Sequence, residues 1–212
     1  MLRRFDLPDT IPLFPLEGAV LMPRGRLPLQ IFEPRYLQLV EDVLKTSNRL
    51  IGMIQPQEGG ADGLAQIGSA GRIVSFSEMD DGRYMITLRA VSRFRLGAVQ
   101  EGFMPYLQGD VDWSGFPLDR GLQPEIDAGL NRGAFLDRLR RYMDAHELST
   151  DWEAAEHVDD EMLVNSLAMV LPLGGEEKQA LLEAQTLVQR RELLDGLLEY
   201  ALRNGDNEEI IQ

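Results

Sequence analysis

Up to Val111 the apolar positions of this chain come in short blocks and alternations, and from Pro124 onward they recur at three- and four-residue spacing. Ile11 to Leu16 and Leu27 to Phe32 read as two short strands punctuated by proline, joined through the turn Met22-Pro23. Proline removes a backbone donor, so both strands are expected at sheet edges or barrel rims. Tyr36, Leu37, Leu39, Val40, Val43 and Leu44 then recur at helical spacing behind Pro34, predicting an amphipathic helix of about three turns. Leu50 to Ile54 reads as a buried strand and Gln57 to Gly63 as a mobile loop. Arg72 to Met79 and Arg83 to Arg89 flank Asp80-Asp81-Gly82, where Asp-Gly supplies the positive φ of a tight hairpin. Further strands are expected at Ser92 to Gln100 and Met104 to Val111.

Three helices follow. Leu130 to His146 carries one apolar stripe, at 135, 136, 139 and 143. Asp159 to Leu171 is more apolar; its acidic start suits capping, and Pro172 stops it. Glu176 to Leu202 reads as one long helix lined by Leu181, Ala184, Val188, Leu194, Leu198 and Ala201, with Glu176-Glu177 and Arg203 suited to the helix dipole. The polar, Gly- and Pro-bearing stretch from Trp113 to Gln123 is the expected junction between a β-rich subdomain, residues 1–117, and an α-helical one, residues 118–212.

Composition narrows the chemistry. At 212 residues the chain can hide roughly 70% of its unfolded surface and sustain a core without staples. The absence of cysteine rules out disulfides, thiolate metal sites and cysteine nucleophiles. The amino terminus has Asp6, Pro8 and Asp9 where a secretory signal needs an apolar run, and no stretch approaches a membrane span, so a cytoplasmic protein with no membrane partner is expected. Residues 1–100 hold 12 basic and 11 acidic side chains, whereas residues 101–212 hold 9 and 24. Such a carboxyl half repels polyanions, and no nucleic-acid partner is expected. Arg89, Arg93 and Arg95 fall close together, but alternating arginines on a strand read as a solvated face.

Catalytic and metal-ligating candidates are few. His146 and His157 are the only histidines, with Asp151, Glu153 and Glu156 between them. A metal site there needs a single face, yet Ser149-Thr150 marks a helix break, so they read as surface histidines and no metal or other cofactor is expected.

Several segments resemble the substrate-binding domain of the ATP-dependent Lon protease family. Ile11-Pro-Leu-Phe-Pro-Leu16 with its Met22-Pro23 turn is similar to that family's opening strand, and Gln66 to Val74 to its Val-Gly-Thr-x-Ala-x-Ile strand. Val91-Ser-Arg-Phe-Arg-Leu96 is similar to its Gly-x-x-Arg-x-x-Ile segment, with Ala90-Val91 where glycine is usual. Leu171-Pro-Leu-Gly-Gly-Glu-Glu-Lys-Gln-Ala-Leu-Leu-Glu183 resembles its Leu-Pro-x-Ser-x-x-x-Lys-Gln-x-Leu-Leu-Glu. The resemblance spans residues 9 to 203 and implies an α+β fold: an N-terminal PUA-like twisted β pseudo-barrel with one amphipathic helix, followed by a C-terminal α-helical bundle.

A Lon protease also needs a phosphate loop ending Gly-Lys-Ser/Thr and a serine-activating lysine. The chain has only Lys45 and Lys178, neither preceded by glycine, and Gly68-Ser69-Ala70-Gly71 falls at a strand start, so its serine reads as structural. The expectation is therefore a non-catalytic protein-binding module for unfolded or hydrophobic polypeptide segments, working with a protease or chaperone system. The alternative is a small-molecule hydrolase on the same scaffold. Adaptable apolar contacts for a polypeptide are expected from methionines, with Met22, Met53, Met79 and Met104 as candidates, although methionine also fills gaps in cores.

Overall fold

The computed structural model describes residues 7–100 and 102–208. The amino-terminal reading of a missing signal falls partly on residues 1–6, outside the described residues. Six strands and six α-helices follow in the order β1 (Thr10–Pro15), β2 (Arg26–Ile31), α1 (Pro34–Leu44), β3 (Leu50–Ile54), β4 (Ile67–Glu78), β5 (Tyr84–Gln100), β6 (Gln108–Asp112), α2 (Arg132–Ala145), α3 (Trp152–His157), α4 (Asp160–Val170), α5 (Gly175–Glu183) and α6 (Leu187–Glu208).

The sheet runs β2-β5-β4-β3-β1-β6, and β6 returns to pair with β5, closing a five-stranded pseudo-barrel from which β2 projects as an edge. Only β1–β3 is parallel among the pairings. The α+β expectation holds, with three refinements. Ser92 to Gln100 is not a separate strand: β5 continues through it, bent where the register against β4 shifts between Ala70 and Gly71. The last strand starts at Gln108, after bends at 103–106. The third helix is two helices.

Proline placement explains another departure. Pro28 lies on edge strand β2; Ala90 N–H donates to Gly25 O, so by alternation Pro28 faces the open side and forfeits no ladder bond. β1, however, is interior, between β3 and β6. Leu13 N–H donates to Leu107 O, so Pro12 faces β3, whose pairing begins only at Leu13. Leu16 N–H donates to Ile54 O, so Pro15 faces the β6 side, past the last β6 pair at Pro12. Each proline sits where its neighbouring ladder has stopped.

Ile11, Leu13, Leu50, Ile54, Phe94 and Trp113 fill the barrel. The Phe94 ring lies so close to β4 that a Cβ at Gly68 would approach its Cζ to 2.5 Å, and one at Gly71 would meet Leu21 at 2.7 Å. The small residues of Gly68-Ser69-Ala70-Gly71 are thus a packing requirement, and Ser69, 1% exposed, is closed off inside β4. Tyr36, Leu39, Val40 and Val43 of α1 pack on the opposite face, against Ile51, Ile73, Ile86 and Leu88. The carboxyl-terminal helices share a third cluster that also takes Val20, Met22, Ile67 and Phe116 from the β part.

Candidate functional site

The surface with the right ingredients for polypeptide contact is the extension of β2, β5 and β4 beyond the barrel. In the tract Tyr84-Met-Ile-Thr-Leu-Arg89, Ile86 and Leu88 point to the core under α1, so Met85, Thr87 and Arg89 share the other face. Three cross-strand rows cover that face: Arg26, Arg89 and Arg72; Pro28, Thr87 and Ser75; Gln30, Met85 and Ser77. The Gln30 amide lies 3.9 Å from the Met79 sulfur, and Gln30 is the register partner of Met85, so two half-exposed methionines, 79 and 85, flank Gln30 at the hairpin end of the face. Gly82, at φ 79, closes the hairpin, with Gly82 N–H donating to Met79 O.

The four methionines expected as contacts do not form one surface. Met22 and Met53 are 0% and 2% exposed and belong to the core clusters, which removes them from any binding face. Met79 is exposed at the hairpin, and Met104 is exposed at the opposite end of the 17-residue β5, beside a fully exposed Phe103. Met85, which the sequence reading missed, was available from the strict alternation of the second hairpin strand.

A buried polar seam holds this β part to the helices. Arg93 is not on a solvated face: the outer side of β5 at this point is covered by the 113–123 junction and the α5–α6 corner, and Arg93 pairs with Asp119. Its guanidinium also donates to Leu182 O and Ala184 O and stacks 4.1 Å from the Phe116 ring. Arg190 donates to Leu181 O, Ala184 O and Asn165 Oδ1, and burial, with the Arg93 charge beside it, lowers its guanidinium to about 10. These two cations take up the carbonyls at the end of α5, where the long helix breaks. Thr186 and Gln189 then restart it as a reciprocal capping box, 3.3 and 3.4 Å.

The Met22-Pro23-Arg24-Gly25 turn is a second clasp. Gly25 N–H donates to Met22 O, and Arg24 takes φ 60 at the position where such a turn favours glycine. Its Nε donates to buried Glu161 at 2.8 Å, and Asn165 donates to Pro23 O. Gln55 and Gln179 complete the seam at 3.1 Å, while burial lowers the Lys178 amine, which donates to Met169 O. Asp159 caps α4 by accepting from Met162 N–H, as its acidic start implied.

Two clefts open on the surface of the described residues. One of about 310 Å³ is lined by Gln57, Glu58, Leu64, Gln66, Leu96 and neighbouring small residues, with Glu58 its one ionisable group. The other is an open depression at Asp151, Glu153, Ala154 and His157, where Asp151 is occupied in capping α3 and His157 Nδ1 contacts Glu153 O. Among the described residues no group of three or more histidines and carboxylates converges as a metal site, and no helix is long and apolar enough to cross a membrane.

Comparison with known proteins places these features in a family. A family profile described as the ATP-dependent protease La (LON) substrate-binding domain matches residues 10–199. Lon protease 2 of Myxococcus xanthus is 29% identical over 211 residues, covering 93% of this chain and 24% of its own length. The chain thus spans about a quarter of that relative. The crystal structure of a Lon N-terminal domain protein from Xanthomonas campestris superposes with a TM-score of 0.59 at 26% identity, covering 87% of this chain and 96% of the other. The N-terminal domain of the Mycobacterium avium complex Lon protease shares the fold, with a TM-score of 0.65 at 15% identity over 90% of this chain and 98% of that one.

Proposed function

The chain belongs to the Lon substrate-binding domain family, and on that footing we propose that it is a non-catalytic recognition module gripping unfolded or hydrophobic polypeptide segments for a protease or chaperone system in the cytoplasm. The observation that carries this reading is the exposed β2-β5-β4 face, where Met79 and Met85 stand on a rigid sheet with polar and small neighbours. Methionine adapts to varied side chains, which suits clients without a common sequence. Met104, next to Phe103, offers a second adaptable contact.

The hydrolase alternative needs a nucleophile or paired acid and base aimed into a cleft. Ser69 is closed off inside β4, the cleft lined by Leu64 and Leu96 has Glu58 as its one ionisable group, and in the open depression Asp151 is taken up in capping α3 while His157 Nδ1 contacts Glu153 O. Incubation of the purified chain with casein and with ATP tests the point. Intact casein and no phosphate release are the expected results; either cleavage or ATP hydrolysis that copurifies with the chain overturns the proposal.

A further inference from the structure

The two edges of the β2-β5-β4 extension are built differently. On β2 the backbone position facing the open side is Pro28, which has no donor to offer an arriving chain. On the other side β3 pairs with β4 only as far as Arg72, and Ile73 N–H donates to Arg49 O. Beyond that point no strand among the described residues flanks residues 74–78. Met79 N–H donates to Arg83 O across the hairpin, so by alternation Ser77 and Ser75 turn their backbone groups toward β5 while Phe76 and Glu78 turn theirs away from it. Residues 74–78 are exposed throughout and include no proline, and the register shift between Ile73 and Ser75 lies at the barrel end of this edge. Outward-facing backbone donors and acceptors of this kind are a template for another strand.

We propose that the open edge of β4 at residues 74–78 takes up an extended client segment as an added strand; this rests on the recognition-module reading and specifies how the client is held. Main-chain hydrogen bonds do not depend on sequence, which fits clients that share none. Phe76 offers an apolar contact on the α1 side of the sheet, fixed edge-on to Tyr84 at 5.0 Å between ring centroids, and exposed Glu78 follows two residues along on the same face. A client with an apolar residue and a lysine or arginine two positions apart therefore complements both. Its alternate side chains fall beside Ser75 and Ser77, whose rows lead across the sheet to Thr87 and Met85. The open edge is about 17 Å long at strand rise, a small contact against the roughly 1,200 Å² that a stable protein–protein interface buries. A second copy of the chain would also bring a second net charge of -14. Both points favour a short client segment over self-association.

Fluorescence anisotropy with short labelled peptides decides the matter: one alternating threonine and leucine with a central lysine, the same peptide N-methylated on its central backbone nitrogens, and the same peptide with glutamate for lysine. The proteins are the native chain, E78P and E78Q. Because the Glu78 N–H faces away from β5, proline there removes an outward donor without taking a bond from the β4–β5 ladder. The lysine peptide should bind the native chain about tenfold more tightly than its N-methylated form, since only main-chain donors differ. It should bind about threefold more tightly than the glutamate peptide, a difference that E78Q abolishes while keeping the binding itself. E78P should lose the binding with its circular dichroism and melting unchanged. Equal binding of the methylated and unmethylated peptides overturns the inference whether or not E78P folds. A dimer of the native chain in sedimentation that E78P dissolves gives the edge to a second copy and overturns it as well. If no peptide binds but an unfolded, carboxymethylated protein does, this inference falls and the recognition module stands; if neither binds, both fall.

Discussion

Arg93 and Asp119, 26 residues apart, form a two-pronged ion pair with side-chain exposures of 0% and 1%; Nη2 and Nε reach the carboxylate at 2.8 and 3.0 Å. The pair joins the bent middle of β5 to the 113–123 junction, and through Arg93 to the end of α5. Burying both charges is offset only because nearly every donor and acceptor finds a partner.

Removing one partner should therefore be severe. D119A leaves a buried guanidinium without its counter-charge, and a loss of about 3 to 5 kcal/mol is expected from urea unfolding. A loss below about 1 kcal/mol, the range of surface pairs, would show that the site is hydrated.

The break between α5 and α6 rests on local chemistry. T186A removes the cap oxygen that accepts from Gln189 N–H, and about 1 kcal/mol of stability should go with it, measured the same way.

Acid should weaken the helical part through Asp127. Burial works against its charge, but the hydrogen bond from Arg191 at 2.8 Å, together with Gly129 N–H, outweighs it and holds the carboxyl below its ordinary 3.8. A depressed carboxyl stabilises the fold above the unfolded value and loses that contribution as pH falls through the folded one. Stability should thus drop below about pH 3.8, and D127N should flatten that part of the profile; an unchanged slope in D127N would remove Asp127 from the account.

The division near residue 117 is one of secondary structure, and we propose that the two parts unfold together. Arg93, Gln55, Arg24 and Met22 all cross from the β part into the helices. Circular dichroism and tryptophan fluorescence should report one coincident transition; two separated midpoints would contradict this.

What the sequence disclosed follows from which signals are local. The hairpin at Asp81-Gly82, the α1 stripe and the Asp159 cap are set by neighbours within a few residues, and all are present. Arg93 was misread because its partner, Asp119, is remote and because a bulge on the β4 side of β5 disrupts simple alternation. The interruption of the long helix was visible in Thr186-Leu-Val-Gln189, a capping-box spacing hidden inside a continuous apolar stripe. The methionines show the limit most plainly. Met22 and Met53 differ from Met79 in burial alone, and burial is a property of the assembled fold.

The most direct test of the recognition module is titration of the chain with one protein held in two states, native and permanently unfolded by reduction and carboxymethylation. Saturable binding of the unfolded state alone, weakened about tenfold or more in M79S/M85S with the melting temperature preserved, is the predicted result. Equal binding of both states, or none of either, would contradict it.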